Sequence, residues 1–209
     1  MIDLSTAQSQ LSYASDSLKK QAWDIVGREG GFVNNLSDSG GATNYGVSLR
    51  YALGCGRTFD LNGDGKVDVA DIRLITAEMA VATFLIDFFL SKGLNAIGEG
   101  FKNVAFDTSV NAGPRKAVTL VQRAVNVLRK SSNSLAVQVP VPLVEDGMIG
   151  AKSTLASVLA DHLVPHAQLI NTFCDVRDAD YDQIARNNPA DQIFLKGWKR
   201  RADSFRVIA

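Results

Sequence analysis

Cysteine, histidine and any excess of either charge are scarce in this sequence. Its 209 residues hold two cysteines, Cys55 and Cys174. Two thiols so far apart make no disulfide framework, and no base stands near either, so both are expected to be free. The two histidines, His162 and His166, have an i, i+4 spacing that can hold zinc. Pro165 lies between them, no Glu follows His162, and no third ligand is apparent, which argues for surface histidines and against a zinc peptidase. Lys and Arg number 22 and Asp and Glu number 22, a formal net charge of zero. No overall field therefore favours nucleic acid. The longest apolar stretch, Met79–Ile86, ends at Asp87, far short of the ~18 residues a membrane-spanning helix needs. Residues 1–16 show neither a basic n-region nor an apolar h-region, so no conventional export signal is expected.

What is present begins at residue 18. Leu18, Ala22, Ile25, Val26 and Glu29 fall on one helical face. Ser17 stands where an N-cap belongs and Gly30-Gly31 where a helix stops. Glu29 then lies at the C-terminal end of an apolar face. Partial desolvation and the negative end of the helix dipole both disfavour its charged form. That suits a general acid. The loop that follows holds Asp38, Gly40-Gly41, Thr43, Asn44 and Gly46, a composition that predicts a hairpin folding back toward Glu29. Two carboxyl groups flanking a cleft are the equipment for glycoside hydrolysis, and Thr43 could help hold a water.

Read together, residues 28–48, REGGFVNNLSDSGGATNYGVS, resemble the N-terminal signature of glycoside hydrolase family 108, the N-acetylmuramidases of phage endolysins and related bacterial proteins. The order Glu, Asp, Thr is also similar to the phage-type lysozymes of family 24. The resemblance implies a mainly α, lysozyme-like fold with a small β-hairpin near the active site. It implies Glu29 as catalytic acid with Asp38 and Thr43 as partners. Where the family often carries Tyr-Trp, Phe88-Phe89 stand here, so the resemblance by itself does not carry a sugar-stacking role to that point.

A second motif is FDLNGDGKVDVAD. Counted from Asp60, oxygen ligands fall at Asp60, Asn62, Asp64, the Lys66 carbonyl, Asp68 and Asp71, and Gly65 supplies the sharp turn. This is the spacing of an EF-hand calcium loop, with Asp71 in place of the usual Glu, as in the dockerin variant. The shorter side chain favours weaker calcium binding or better tolerance of magnesium. The other reading is a run of Asx turns and an N-cap opening a helix over Ile72–Leu90. Four aspartates so close repel one another unless a cation sits among them, which favours the ion.

Further matches to the endolysin family are AFDTSVNAGP, LVQRAVNVL, DGMIGAKS and FLKGWKRRA, in a helical region expected to bind peptidoglycan. Asn111, Gly113 and Pro114 mark a helix end and a new start. Val118, Val121, Val125 and Leu128 form a buried stripe. Asp107 and Asn111 either face the cleft or serve as buried caps. Residues 131–145 predict a surface excursion with a small hairpin, and helices are expected near 151–163, 166–186 and 190–206. The last helix carries Lys196, Lys199, Arg200, Arg201 and Arg206 against Asp203. That face is either simply solvated or drawn to anionic envelope polymers. Trp198 either stacks on sugar or anchors the helix.

The expected organisation is a catalytic region over 1–100, including loop 60–71, and a peptidoglycan-binding region over 101–209, packed as one body. The expected function is a monomeric endolysin hydrolysing the β-1,4 bond between N-acetylmuramic acid and N-acetylglucosamine. It would be made in a host cytoplasm, released to the wall by a holin, and ordered by calcium. The alternative is a non-catalytic wall-binding or secretion-related protein on the same scaffold. A dockerin-like adhesion module is disfavoured, because dockerins carry two such loops and one is found.

Overall fold

A computed structural model describes residues 14–34 and 41–208. Among them the protein is mainly α-helical with one small antiparallel sheet. The chain divides into two compact units, Met1–Ser91 and Lys92–Ala209.

The first unit opens with α1, Asp16–Glu29. Its N-cap is Ser15, not Ser17: the Ser15 Oγ accepts from the Leu18 N–H at 3.3 Å, and Asp16 complements the dipole in the first turn. Leu18, Ala22, Ile25 and Val26 are buried, and Gly30 closes the helix at φ 76°. Val33 and Thr43 exchange two backbone hydrogen bonds of 2.8 Å. Thr43–Asn44 (β1) then pairs with Val47–Ser48 (β2) across the two-residue turn Tyr45-Gly46. Both turn residues have positive φ, 50° and 81°, the requirement of a type I′ turn whose twist matches the strands.

Ser48 caps α2, Leu49–Gly54, and a 3-10 turn, Gly56–Phe59, buries Phe59. Where a single helix over Ile72–Leu90 is expected, there are two: α3, Val69–Leu74, and α4, Ala77–Phe88. The break follows from Thr76, whose hydroxyl accepts from the Met79 N–H at 3.3 Å and starts a new helix while Ile75 turns extended. Helix α4 packs on α1 and supplies the apolar floor, including Val81, Phe84 and Leu85.

The second unit is a helical bundle. Helix α5, Glu99–Ala112, ends at Gly113 (φ 88°), and α6, Pro114–Ser131, starts with proline at its first position, as the sequence indicates. Val118, Val121, Val125 and Leu128 are buried. No hairpin forms over 131–145. A short helix α7, Asn133–Gln138, is followed by an extended run held by α6 side chains. Arg129 donates to the carbonyls of Val139 and Pro140, and Asn126 bonds both the N–H and the C=O of Leu143. Pro140 and Pro142 have no N–H to offer a strand partner, so these side chains take the strand's place. Three further helices complete the unit: α8, Ala151–Leu163, α9, His166–Asn187, and α10, Gln192–Asp203. No helix among the described residues is long and apolar enough to cross a membrane.

Candidate active site

The hairpin tip rests on the end of α1. A Cβ built on Gly46 would lie 2.9 Å from Glu29 Cγ, 3.1 Å from Glu29 Cβ and 2.9 Å from Phe84 Cζ. Only glycine fits there, both for that approach and for φ 81°. The predicted return of the loop toward Glu29 is therefore present. The predicted desolvation is not: Glu29 is exposed, because the apolar stripe of α1 stops one turn earlier at Val26 and only the aliphatic stem of Glu29 meets the hairpin. Thr43 is half-buried in β1, its backbone spent on Val33 and its hydroxyl, among the described residues, donating a long 3.5 Å bond to the Gly41 carbonyl. Asp38 lies outside the described residues.

Asn44, quoted above only as part of a motif, is buried at 4 % exposure. Its Nδ2 donates 3.0 Å bonds to the carbonyls of Ile72 and Ile75 at the end of α3. The side chain thus satisfies carbonyls that the break between α3 and α4 leaves open. This fastens the hairpin to the helix that leaves loop 60–71.

Within that loop every acidic side chain already bonds a backbone amide. Asp60 Oδ2 accepts from Gly65, Asn62 Oδ1 from Asp64, Asp64 Oδ1 from Lys66 and Asp68 Oδ1 from Ala70. Asp71 is fully buried. Its Oδ1 accepts from Leu61 and Asn62, and its Oδ2 from Asp68. Burial acts to raise its pKa, but the amides of Asp68, Asn62 and Leu61 outweigh it and hold the carboxyl below its ordinary value. Asp68 and Asp71 form a capping box at the start of α3. The described residues contain no ready-made cluster of three His, Cys, Asp or Glu groups for a metal. One oxygen stands apart: Asp60 Oδ1 is buried without a hydrogen-bond partner, and Asp60 is the first position of the loop. An all-oxygen set with one orphaned buried carboxylate oxygen fits a hard cation such as calcium.

The remaining sequence candidates lie in the second unit. Asp107 neither faces a cleft nor caps a helix: it is fully buried, 2.8 Å from Arg177 and 2.9 Å from Arg201. Asn111 donates to the Asp107 carbonyl at 2.7 Å. His162 and His166 are exposed and belong to different helices. The cationic face of α10 is partly neutralised. Lys199 pairs with Asp182 and Arg201 with Asp107, and Arg206, past the end of α10, pairs with Asp175, Asp178 and Asp203. Trp198 is half-buried between Tyr181 and Phe194, with ring centroids 5.4 and 5.9 Å away, so it serves as an anchor. Both cysteines are free, and burial pushes the Cys174 thiol up to about 11.

Residues 22–113 match the sequence model of the glycosyl hydrolase 108 family. The matched segment is just under half of the chain and runs from α1 through α5, taking in Glu29, the hairpin and loop 60–71. The solved structure of Brucella abortus SagA is similar in fold. Its TM-score is 0.59 at 22 % identity, over 94 % of this chain and 99 % of that one. The chain has no significant match among curated proteins. The glycosyl hydrolase 108 match supports glycoside hydrolysis, and the arrangement in the first unit is chemically suited to it: a carboxyl group at a helix end, open to a ligand, against a hairpin that no side chain at position 46 can push away.

Proposed function

We propose that this protein is a muramidase hydrolysing the β-1,4 bond between N-acetylmuramic acid and N-acetylglucosamine in peptidoglycan. The observation that carries this reading is the seating of Gly46 against Glu29 inside the glycosyl hydrolase 108 segment. Glu29 protonates the leaving glycosidic oxygen. Asp38, helped by Thr43, activates the water that attacks the opposite face, an inverting course. A retaining course would need the second carboxylate within about 5.5 Å of Glu29. Because Glu29 is exposed in the free protein, the bound glycan itself supplies the water exclusion this chemistry uses. The setting we propose is bacterial wall lysis, as in the endolysins the sequence resembles, with the second unit holding peptidoglycan.

Loop 60–71 completes the reading as a calcium site. Asp60, Asn62, Asp64, the Lys66 carbonyl and Asp68 would hold the ion, with Asp71 bracing the loop from behind through its three amides. When bound, the ion neutralises the loop's carboxylates and adds stability to the folded state.

The test is release of reducing ends from purified peptidoglycan by wild type and Glu29→Gln. Loss of a general acid is expected to lower the rate by about 10²–10⁴-fold with the fold retained. Equal rates would remove Glu29 from the chemistry. The exposure of Glu29 is the observation that favours the other reading, a wall-binding protein without turnover. That reading gains if wild type binds peptidoglycan and releases no sugar.

A further inference from the structure

From Gly46 a connected run of rings leads across the first unit. Phe84 touches the Gly46 position and lies 5.7 Å, centroid to centroid, from Phe88 one turn along α4. Phe88 is stacked on Tyr51 at 6.1 Å and 29°, and Tyr51 is braced edge-on by buried Phe59 at 5.9 Å. Phe84 is buried, whereas Phe88 and Tyr51 are half-buried. The Tyr51 hydroxyl donates to Asp87 Oδ2. Burial, and then this bond, push the phenol well above its ordinary value, so it stays a neutral donor. Asp87 is half-buried, and among the described residues no Lys, Arg or His pairs with it and no donor reaches its Oδ1.

A carboxylate usually finds a cation or several amides when it leaves water. Among the described residues this one is fixed by a phenol alone, on one of its two oxygens. Next to it lie two rings inclined by 29° to each other, each partly open to water. An apolar platform with one oriented acceptor at its edge is suited to a pyranose. The sugar's C–H face lies on the electron-rich ring faces, and a hydroxyl or acetamido N–H donates to the acid. We propose that Tyr51, Phe88 and Asp87 form a saccharide subsite for the glycan strand, in contact continuity with Glu29 through Phe84 and Gly46. This deepens the muramidase reading and rests on it only for the bond that is cut. Asp87 binds sugar here and takes no part in proton transfer.

The probe is a soluble tetrasaccharide of alternating N-acetylglucosamine and N-acetylmuramic acid, titrated calorimetrically into full-length Glu29→Gln protein. The same titration is made after adding Tyr51→Phe or Asp87→Asn, which keep shape and ring packing, or Phe88→Leu. Each loss is expected to weaken binding about 3- to 10-fold, while melting curves show folded protein. In the catalytically intact background the same changes should raise KM more than they lower kcat. Undiminished affinity in folded Tyr51→Phe and Asp87→Asn overturns the subsite, and so does failure of Glu29→Gln to bind the tetrasaccharide. Affinity that depends on Tyr51 and Asp87, with no sugar release by wild type, leaves the subsite standing and overturns the hydrolase reading.

Discussion

Gly46 is held by two constraints at once. Its φ of 81° is open to glycine at little cost, and its missing side chain leaves room for Glu29 and Phe84. Gly46→Ala would meet both the backbone strain and the 2.9 Å contacts, one of them with a ring packed in the core. We expect a loss of about 1–3 kcal/mol in denaturant melts. We also expect a fall in reducing-end release larger than the unfolded fraction explains, because Glu29 must move. A variant that melts and turns over like wild type would mean the hairpin does not set the position of Glu29. Neighbouring Tyr45, at φ 50°, occupies a turn position where asparagine is the usual residue, so this turn carries strain its sequence does not relieve. At this scale the sequence makes residue types legible but not exposure. Helical periodicity places Glu29 on the face of Leu18 and Ile25, yet it cannot say where the layer covering that face ends. Ser15 and Ser17 are likewise both good caps, and it is Ser15, extended at φ −61° and ψ 156°, that takes the role.

The hairpin and helices α3 and α4 are joined through Asn44. Asn44→Ala leaves the carbonyls of Ile72 and Ile75 without their side-chain donor in a buried place. The expected cost is about 1–3 kcal/mol, and a melting midpoint equal to wild type would refute the role. The proposed calcium site lies at the other end of the same helix. If the ion binds the folded loop only, saturation at 100 times its dissociation constant adds about 2.7 kcal/mol. Calorimetric scans with calcium, with magnesium and with chelator should therefore separate, and Asp60→Ala should abolish the separation. Superimposed scans in all three conditions would return the loop to a set of capped turns. The turns of loop 60–71 and the capped start of α3 are legible in the spacing of its aspartates and glycines. The helix break after it is not, because Thr76 is an ordinary residue inside an apolar run and only its hydroxyl, accepting from Met79, turns it into a cap. The hairpin expected over 131–145 failed for a related reason. Alternating valines indicate an extended backbone, but not that Arg129 and Asn126 of the preceding helix will supply its hydrogen bonds.

Across the whole molecule, the segment that matches the glycosyl hydrolase 108 model and the compact units do not coincide. The matched residues run past Ser91 into α5, a helix whose packing partners α6 and α9 belong to the second unit. The matched segment therefore ends in a helix whose charged core is completed from outside it. Asp107 of α5 bonds Arg177 of α9, which is 1 % exposed, and takes a two-nitrogen clamp from Arg201 of α10. These partners lie 70 and 94 residues away, so no local pattern announces them. Burial works against the charge on Arg177, but Tyr181 and Asp107 hold its proton more firmly than usual. Removing one member of such a set is harsher than never having built it, since a buried guanidinium is then left without its anion. Asp107→Ala should cost about 3–5 kcal/mol in denaturant melts. Adding Arg177→Met and Arg201→Leu to Asp107→Leu should recover most of that loss. An unchanged midpoint in Asp107→Ala would show the pair to be energetically idle. A triple variant no better than the single one would show that the carboxylate, through Asn111 and its own helix, fixes the end of α5 by geometry and not by charge.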